Sequence, residues 1–202
     1  MTEREQDRLD SRAKVIIAAC EMIADDPASS LSVRAVAARA GVSMGSLRHH
    51  FPTQRALREV VIETIYDVVT PHDQIIHDES MPARDRLVQC LRQVLAIEVG
   101  EKARLNWVKF FDAFVAREPT DELRAAYVAM TSEGQRRVEH WLTLLGKEGV
   151  VRAGDVALQA SYLNVILSGL SLERALPAKH DILKRETEIL YTAVDSILLP
   201  SS

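Results

Sequence analysis

The sequence has little of what stabilises secreted or membrane proteins. It contains two cysteines, Cys20 and Cys90, which lie among apolar neighbours and lack the paired spacing of a metal site or redox motif. No run of about eighteen apolar residues is present, and the N-terminal stretch MTEREQDRLDSR is charged where a signal peptide would be apolar. We therefore expect buried reduced thiols, no membrane partner, and a soluble cytoplasmic protein.

Strand patterns, internal repeats and Gly/Ser-rich linkers are also missing. The 202 residues are 47% hydrophobic and 27% charged, a balance that excludes a disordered chain and allows a small and a larger domain, each with its own core. The periodicity predicts an all-α protein of about nine helices. They are expected at residues 12–24, 33–40, 44–50, 54–69, 82–99, 102–117, 120–147, 155–176 and 181–198.

A net positive charge, which would suit a nucleic-acid partner, is missing from the chain as a whole, because its formal net charge is −4. The charge is unevenly distributed. Residues 1–58 hold nine Lys and Arg against seven Asp and Glu, or +2, so residues 59–202 hold 16 against 22, or −6. This asymmetry favours contact between the N-terminal end and nucleic acid, with the acidic remainder repelled.

The most informative stretch is LSVRAVAARAGVSMGSLRHHF, residues 31–51. Ser32 is a predicted N-cap before a short helix with a narrow apolar face. Gly41 follows that helix where a left-handed residue closes a helix end without steric cost. Ser43 caps a second helix of about two turns, in which Leu47 turns inward. The pattern predicts two short helices around a tight turn.

Ala37, Gly41 and Leu47 also follow the helix-turn-helix spacing of a small residue, a glycine four later and an aliphatic residue six after that. The run GVSMGSLRHHFPTQRAL resembles the G-V-S-x-G-x-L-Y-x-H-F-x-x-K-x-x-L pattern of the TetR family of bacterial regulators. The resemblance covers about residues 10–60. It implies an all-α fold with an N-terminal three-helix helix-turn-helix domain in residues 1–60. A larger helical domain for effector binding and dimerisation is implied in residues 61–202, with no cofactor.

Two positions depart from the family pattern. Arg48 stands where the family usually has tyrosine, and Gln54 where it usually has a lysine that touches phosphate. Because Arg55 and Arg58 lie on the same following helix, we expect the positive contact to be relocated. Carried over position by position, the resemblance predicts contacts to a double-stranded operator from Arg12, Ser32, Val33, Arg34, Ser43, Met44, Ser46, Arg48, His49, His50, Gln54 and Arg55.

Two other kinds of site compete in the same sequence. Residues 41–45 fit G-x-S-x-G, the nucleophile elbow of hydrolases, but that motif needs a preceding strand and a helix is predicted there. His72, His77, Asp78 and Glu79 are compatible with metal ligands, yet no i, i+4 histidine pair brings two imidazoles onto one helix face. We predict a helix cap at Ser43, a hydrated loop around residues 73–85, and neither catalytic nor metal site.

An aromatic band marks the helix over residues 102–117. Trp107, Phe110, Phe111 and Phe114 recur at i, i+3, i+4 and i+7, a pattern compatible both with a closed core and with the wall of a ligand pocket. Both alternatives stay open. A pocket would take a small, largely apolar or amphipathic effector, and its predicted lining is Trp107, Phe110, Phe111, Phe114, Tyr127, Met130, Trp141, Tyr162 and Asn164.

The last two helices carry more apolar surface than one partner needs. The segment over 155–176 has leucines on one face and Ser161, Ser168, Gly169 and Ser171 interleaved, so a second helix can approach closely. The resemblance implies that these helices pair with their copies in a homodimer. The predicted interface is Leu163, Leu167, Leu170, Leu190, Val194 and Ile197.

Three classes of function are therefore compared. The first is a ligand-responsive transcription factor, most simply a dimeric repressor that leaves a palindromic operator when an effector binds. The second is an enzyme, which is disfavoured because no paired carboxylates or nucleophile with its base can be assembled. The third is a DNA-binding protein of the same fold that acts without an effector. The helix over 54–69 joins the two domains without a flexible linker, as a transmitted signal would require.

Overall fold

The computed structural model describes residues 3–69, 74–95, 100–177 and 181–200, most of which are helical. Within these ranges a short 3-10 helix, Ile75–His77, and an isolated antiparallel bridge between Val151 and Leu198 accompany nine α-helices. The predicted all-α fold class is confirmed. The helices are α1 Glu3–Asp25, α2 Val33–Ala40, α3 Met44–His50, α4 Gln54–Val69, α5 Ala83–Val94, α6 Glu101–Phe114, α7 Asp121–Lys147, α8 Val156–Ala175 and α9 Ile182–Ile197.

The bounds of α2, α3 and α4 agree with the prediction, and those of α7, α8 and α9 differ from it by at most one residue at each end. Helices α1, α5 and α6 differ by more, and α6 ends at Phe114 and not at residue 117. Helix α1 begins at Glu3, well before the predicted start at residue 12. The stretch EREQDRLDSR contains no glycine or proline and is rich in good helix formers, so nothing local stops the helix. Helix α5 ends at Val94, and the predicted extension over 96–99 lies outside the described residues.

The predicted hydrated loop before α5 contains a buried anchor. Ile76, in the 3-10 helix, is 1% exposed, and the Arg86 guanidinium donates from Nη1 to the Ile76 carbonyl oxygen at 2.6 Å. Arg86 also pairs with Glu148, which holds the pKa of that carboxyl below its usual value. His72 lies outside the described residues. In the described parts of the chain, no group of three or more His, Cys, Asp or Glu side chains could hold a metal ion.

The chain folds into two compact units. We call Met1–Ile65 with Lys109–Met130 the N-terminal unit, and Tyr66–Val108 with Thr131–Ser202 the C-terminal unit. The boundary at residue 60 drawn from the sequence did not anticipate that residues 109–130 join the N-terminal unit. No described helix is long and apolar enough to cross a membrane.

The N-terminal unit has its own hydrophobic core between α1, α2, α3 and the start of α4. The residues of this core are Val15, Ala19, Leu31, Val36, Ala37, Leu47, Phe51, Leu57 and Val61.

Two polar contacts connect residues 109–130 to the end of α1. The Lys109 ammonium donates to the Ala24 carbonyl oxygen at 3.0 Å, and Arg117 pairs with Asp26 at 3.1 Å. A cation beside a helix C-terminus is favourable because carbonyl groups there lack intrahelical partners.

The C-terminal unit packs α5, α7, α8 and α9 around a leucine-rich core. A buried ion pair lies at its edge, where Arg174 of α8 donates two hydrogen bonds to Glu186 of α9, at 2.6 and 2.8 Å. Both side chains are almost fully buried. Two parallel charge-assisted hydrogen bonds offset the cost of removing the charges from water, and removing one partner would leave the other charge uncompensated.

The six residues predicted for the dimer interface lie inside this core. Each is at most 6% exposed in the single chain, so none offers a surface to a second copy. The sequence shows two apolar faces on α8, and burying the face with Leu163, Leu167 and Leu170 within the chain turns the other face outward. The residues concerned are Leu163, Leu167, Leu170, Leu190, Val194 and Ile197.

Candidate nucleic-acid interface

The turn between α2 and α3 has the predicted geometry. The Ser32 hydroxyl accepts a hydrogen bond from the Ala35 N–H at 3.3 Å, which caps α2. Gly41 ends that helix in the left-handed conformation with φ of 66°, a region that side chains with a Cβ rarely adopt. The Ser43 hydroxyl then accepts from the Ser46 N–H at 3.0 Å and caps α3. Ser43 follows a helix and a turn, so the G-x-S-x-G run is not a nucleophile elbow.

Helix α3 is anchored on one face and exposed on the other. Leu47 is fully buried in the core of the N-terminal unit, and Phe51, which follows the helix, is 3% exposed. The opposite face exposes Ser43, Met44, Gly45, Arg48 and His49. This exposed group, called the outer face of α3 below, combines a cation, an imidazole, a hydroxyl and a flexible apolar side chain, which are groups suited to phosphates and base edges.

The other predicted contact residues differ in how far they are available. Arg34 on α2 and Arg12 on α1 are exposed, and the Arg12 guanidinium lies 5.6 Å from the centre of the Phe51 ring. Ser32 and Ser46 are partly buried at their helix starts, and Val33 packs against the core. His50 is half-buried and its ring centre lies 5.3 Å from that of His49.

The start of α4 contacts the loop before α2. The Gln54 side-chain amide donates to the Ser30 carbonyl oxygen, and Arg58 Nη2 donates to the Ser29 carbonyl oxygen at 2.5 Å. Burial lowers the pKa of the Arg58 guanidinium from its ordinary value. Arg58 therefore has a partner inside the unit, and its share in a relocated phosphate contact stays a prediction. Arg55 is highly exposed. Among the described contacts, it pairs only with solvent-facing Glu59, one turn later on α4, at 2.8 Å.

Within the C-terminal unit, the last turn of α4, which holds Tyr66 and Asp67, contacts α7. The Asp67 carboxylate accepts a hydrogen bond from Arg137 Nη2, and Arg137 also pairs with Glu133 at 3.0 Å. The Tyr66 ring centre lies 5.5 Å from the Arg137 guanidinium. A Cβ at Gly134 would lie 3.0 Å from the Tyr66 hydroxyl oxygen, a tight contact that would make the tyrosine side chain shift. We call this arrangement the α4–α7 contact.

Burial raises the pKa of the Tyr66 hydroxyl, and the negative charge of Glu133 raises it further. The α4–α7 contact continues into α8 through polar side chains. Asn164 Nδ2 donates to Gln135 Oε1 at 3.1 Å, and Gln135 Nε2 donates to the Ala157 carbonyl oxygen at 2.9 Å. Of the residues in these contacts, the sequence analysis selected only Asn164. Asp67, Gln135 and Arg137 were not selected, because each has a partner about 20 to 70 positions away in the chain.

The nine predicted pocket residues do not share one unit. Phe110, Phe114 and Tyr127 form an aromatic cluster in the N-terminal unit, with ring centres 5.1 to 6.4 Å apart. Phe111 points outward and is 54% exposed, and Met130 is partly buried in the same unit. The role of the aromatic cluster as a pocket wall stays a prediction.

The remaining four pocket residues belong to the C-terminal unit. Trp141 is 2% exposed and packs within the core, so it is a packing residue in this structure. The Trp107 Nε1–H donates to the Ser171 hydroxyl oxygen at 3.2 Å. Tyr162 is 44% exposed, and Asn164 takes part in the polar chain described above.

The outward face of α8 is apolar. Leu158, Val165 and Leu172 recur at i, i+7 and i+14 and are 68, 71 and 40% exposed. Tyr162 lies beside them, and a Cβ at Gly169 would meet nothing within 4 Å. This surface, called the outer face of α8 below, was not selected from the sequence because both faces of the helix are rich in leucine.

Residues 15–61 match the family model described as bacterial regulatory proteins, tetR family. The chain is 27% identical over 163 residues to the nucleoid occlusion factor SlmA of Marinobacter nauticus, spanning 78% of this chain and 80% of the relative. It is 24% identical over 187 residues to the HTH-type transcriptional regulator PksA of Bacillus subtilis, spanning 92% and 89%.

The fold is similar to that of a Rhodococcus sp. protein described as a TetR-family transcriptional regulator, with a TM-score of 0.63 and 22% identity over 94% of this chain and 99% of that one. At that identity the likeness shows the fold alone. The family match covers the helix-turn-helix, where the capped turn and the outer face of α3 lie. Residues 15–61 of the chain thus match the helix-turn-helix domain of the bacterial tetR regulatory family, and the whole chain has the fold of its solved relatives.

Proposed function

We propose that the protein is a homodimeric repressor that binds a palindromic operator through α3 and leaves it when a small apolar or amphipathic effector binds. The observation that carries this proposal is the outer face of α3. A helix anchored by the fully buried Leu47 presents Arg48, His49 and Ser43 outward, while neighbouring residues hold its ends. Because its target would be chromosomal DNA, we place the protein in the bacterial cytoplasm.

Binding as a dimer follows from the size of α3. Seven residues make too few base contacts for selective binding, and two half-sites about one turn of DNA apart supply the rest. The outer face of α8 supports this assembly, since Leu158, Val165 and Leu172 would otherwise leave apolar surface in water. We therefore place the interface on this face, in the same helix as first predicted but on its other side.

Release by an effector requires an element that differs between the DNA-bound and free states. Helix α4 is the candidate. Its first turns contribute Leu57 and Val61 to the core that anchors α3, and its last turn takes part in the α4–α7 contact. An effector that loosened or tightened this contact would bias the position of α4. The aromatic cluster of Phe110, Phe114 and Tyr127 supplies the kind of surface that an apolar effector would contact.

The sign of regulation is tested by deleting the gene and measuring the transcripts of its neighbours. Repression predicts that one or more neighbouring transcripts rise, and that wild-type protein supplied from a plasmid lowers them again. Arg48→Ala protein produced at the same level should fail to restore repression. A fall in those transcripts on deletion would indicate an activator, and no change in any transcript would contradict local regulation.

A second candidate is DNA binding by the same fold without an effector. It is supported by the Marinobacter relative, which is named as a nucleoid occlusion factor. The two candidates differ in one observable. If an effector controls the protein, an extract of cells grown on at least one carbon source, or exposed to at least one toxic compound, should lower the affinity of the protein for its operator. Unchanged affinity across such extracts would favour the second candidate.

A further inference from the structure

Helix α6 exposes an apolar strip. Leu105, Val108 and Phe111 are 56, 49 and 54% exposed, although burial of such large apolar side chains would be favourable. At about 100° per residue, the three side chains lie within about 120° of one another around this continuous helix. Ala103 and Ala113, which are buried, lie about 140° away from Val108, so α6 packs by its opposite side. The strip therefore stays in contact with water in the single chain.

Opposite charges flank the apolar strip. Arg104 lies one turn before Val108 and Asp112 one turn after it, and both side chains are exposed. Each lies about 40° around the helix from Val108, so the charges belong to the same face. Among the described residues, no ion pair or side-chain hydrogen bond involves Arg104 or Asp112. We call Arg104, Leu105, Val108, Phe111 and Asp112 together the α6 surface.

The α6 surface is complementary to a second copy of itself. Two α6 helices can pack antiparallel about a two-fold axis that is level with Val108. A residue three or four positions before Val108 is then level with the residue three or four positions after it in the second copy. Leu105 is thus level with Phe111 of the second copy, and Arg104 with Asp112 of the second copy. Both contacts occur twice, because the interface is isologous. Parallel helices would instead place Arg104 beside its own copy, where like charges repel.

We propose that the α6 surface is a self-association surface, through which two copies of the chain pair by antiparallel α6 helices. The arrangement of its charges points to a second copy as the occupant. A different protein would need a complementary pair of charges, but it would not need the symmetry about Val108. The surface also lies on a different helix from the outer face of α8, so it can join chains that are already paired through that face.

The size of the α6 surface predicts a weak contact. One pair of helices of about four turns covers far less than the roughly 1,600 Å² that an interface of standard size buries. Such a contact becomes effective when the copies are held near each other, because their effective concentration is then high. Dimers bound at neighbouring operators would meet this condition, a consequence that rests on the proposed function. The contact itself does not depend on DNA.

The test measures self-association without DNA, by sedimentation equilibrium up to millimolar protein concentration. It compares the wild-type protein with Arg104→Asp, with Asp112→Arg and with the variant that carries both substitutions. An equimolar mixture of the two single variants is measured as well. Arg152→Asp is the matched control, because Arg152 is an exposed arginine between α7 and α8. The control changes the net charge by the same amount as Arg104→Asp.

The wild-type protein should show a concentration-dependent association step, in addition to any dimer already formed at micromolar concentration. Each single variant should weaken this step at least about tenfold, because like charges then face each other twice. The double variant should associate within about threefold of wild type, since both contacts again join opposite charges. The mixture should associate more tightly than either single variant, and Arg152→Asp should stay within about twofold of wild type.

Three results would overturn the proposal. The first is a wild-type mass that does not rise between micromolar and millimolar concentration. The second is association of the single variants as strong as that of the wild type, and the third is association of the double variant as weak as that of the single ones. If the wild type is monomeric at micromolar concentration, the outer face of α8 is not the interface, and the step at higher concentration still decides on the α6 surface.

Discussion

At the scale of single residues, four arginines of the N-terminal unit have different surroundings. Arg39 pairs with Glu21 and Asp25, Arg55 with Glu59, and Arg58 donates to a backbone carbonyl. Arg48 is exposed on α3, beside His49 and on the side away from the core. Sequence position alone did not distinguish these roles, because each arginine lies on or near the helix-turn-helix.

This difference predicts unequal effects on operator binding. The probe is a DNA duplex that the wild-type protein selects from a random-sequence library. Arg48→Ala should weaken binding to this duplex by about 1–3 kcal/mol, the usual contribution of a base-edge contact. The variant should also lose the base preference at one position of each half-site. Arg39→Ala serves as the matched control, since Arg39 already contacts two carboxylates of α1. Equal losses in the two variants would indicate a general charge effect, and no loss in Arg48→Ala would remove this residue from the contact set.

Arg55 is expected to contribute through phosphate charge and not through base reading. It is highly exposed and lies in the first turn of α4, the helix that follows α3 in the chain. Arg55→Ala should weaken binding similarly for all sequences and lower the slope of log affinity against log salt by about one. The slope is obtained from titrations at several salt concentrations. An unchanged slope would show that Arg55 does not reach the backbone of the DNA.

At the scale of elements, the local signals in the sequence predicted the helix-turn-helix well. Ser32, Gly41 and Ser43 fix the ends of α2 and α3 by contacts within a few residues, so the pattern suffices. The orientation of α8 could not be predicted in the same way. Leu163 and Val165 are equally apolar, and only the packing of α9 and α7 decides that the first is buried and the second exposed.

Long-range polar contacts were likewise beyond the sequence. Asp67 and Arg137, which pair in the α4–α7 contact, are separated by 70 positions in the chain. Lys109 and Ala24 are also far apart in the chain, and their contact brings residues 109–130 into the N-terminal unit. Composition and spacing gave no indication of either contact, because neither depends on periodicity.

Asp67 lies in the last turn of α4, where the negative charge of a carboxylate interacts unfavourably with the helix dipole. If the pairing of Asp67 with Arg137 contributed nothing, Asp67→Asn should therefore stabilise this turn. If the α4–α7 contact holds the turn, Asp67→Asn should instead speed amide exchange there, about two- to fivefold for a partly exposed pair. Hydrogen exchange read by mass spectrometry measures the sign.

Asp195→Asn is the matched control for this experiment. Asp195 lies in the last turn of α9 and accepts a hydrogen bond from Arg84 at 2.7 Å, and its side chain is similarly exposed. Its loss should speed exchange at the end of α9 and leave α4 unchanged. Slower exchange in α4 of Asp67→Asn would show that the α4–α7 contact does not hold this turn.

At the scale of the whole molecule, the proposed operator binding needs two copies of the chain. Val165→Arg places a charge at the centre of the outer face of α8 and should give a monomer at micromolar concentration, as measured by sedimentation. Val128→Arg is the matched control, because Val128 is an exposed valine on α7 of the N-terminal unit. A monomeric wild type, or a dimeric Val165→Arg, would show that this face is not the interface.

In the proposed function, two copies of α3 read a two-fold symmetric operator. This is tested by selecting duplexes from a random-sequence library and then measuring the mass of the complex with the enriched duplex. We expect an enriched site of two inverted half-sites, with centres about one helical turn or a multiple of it apart, bound by two chains or a multiple of two. An enriched site without two-fold symmetry, or one chain per duplex, would contradict it.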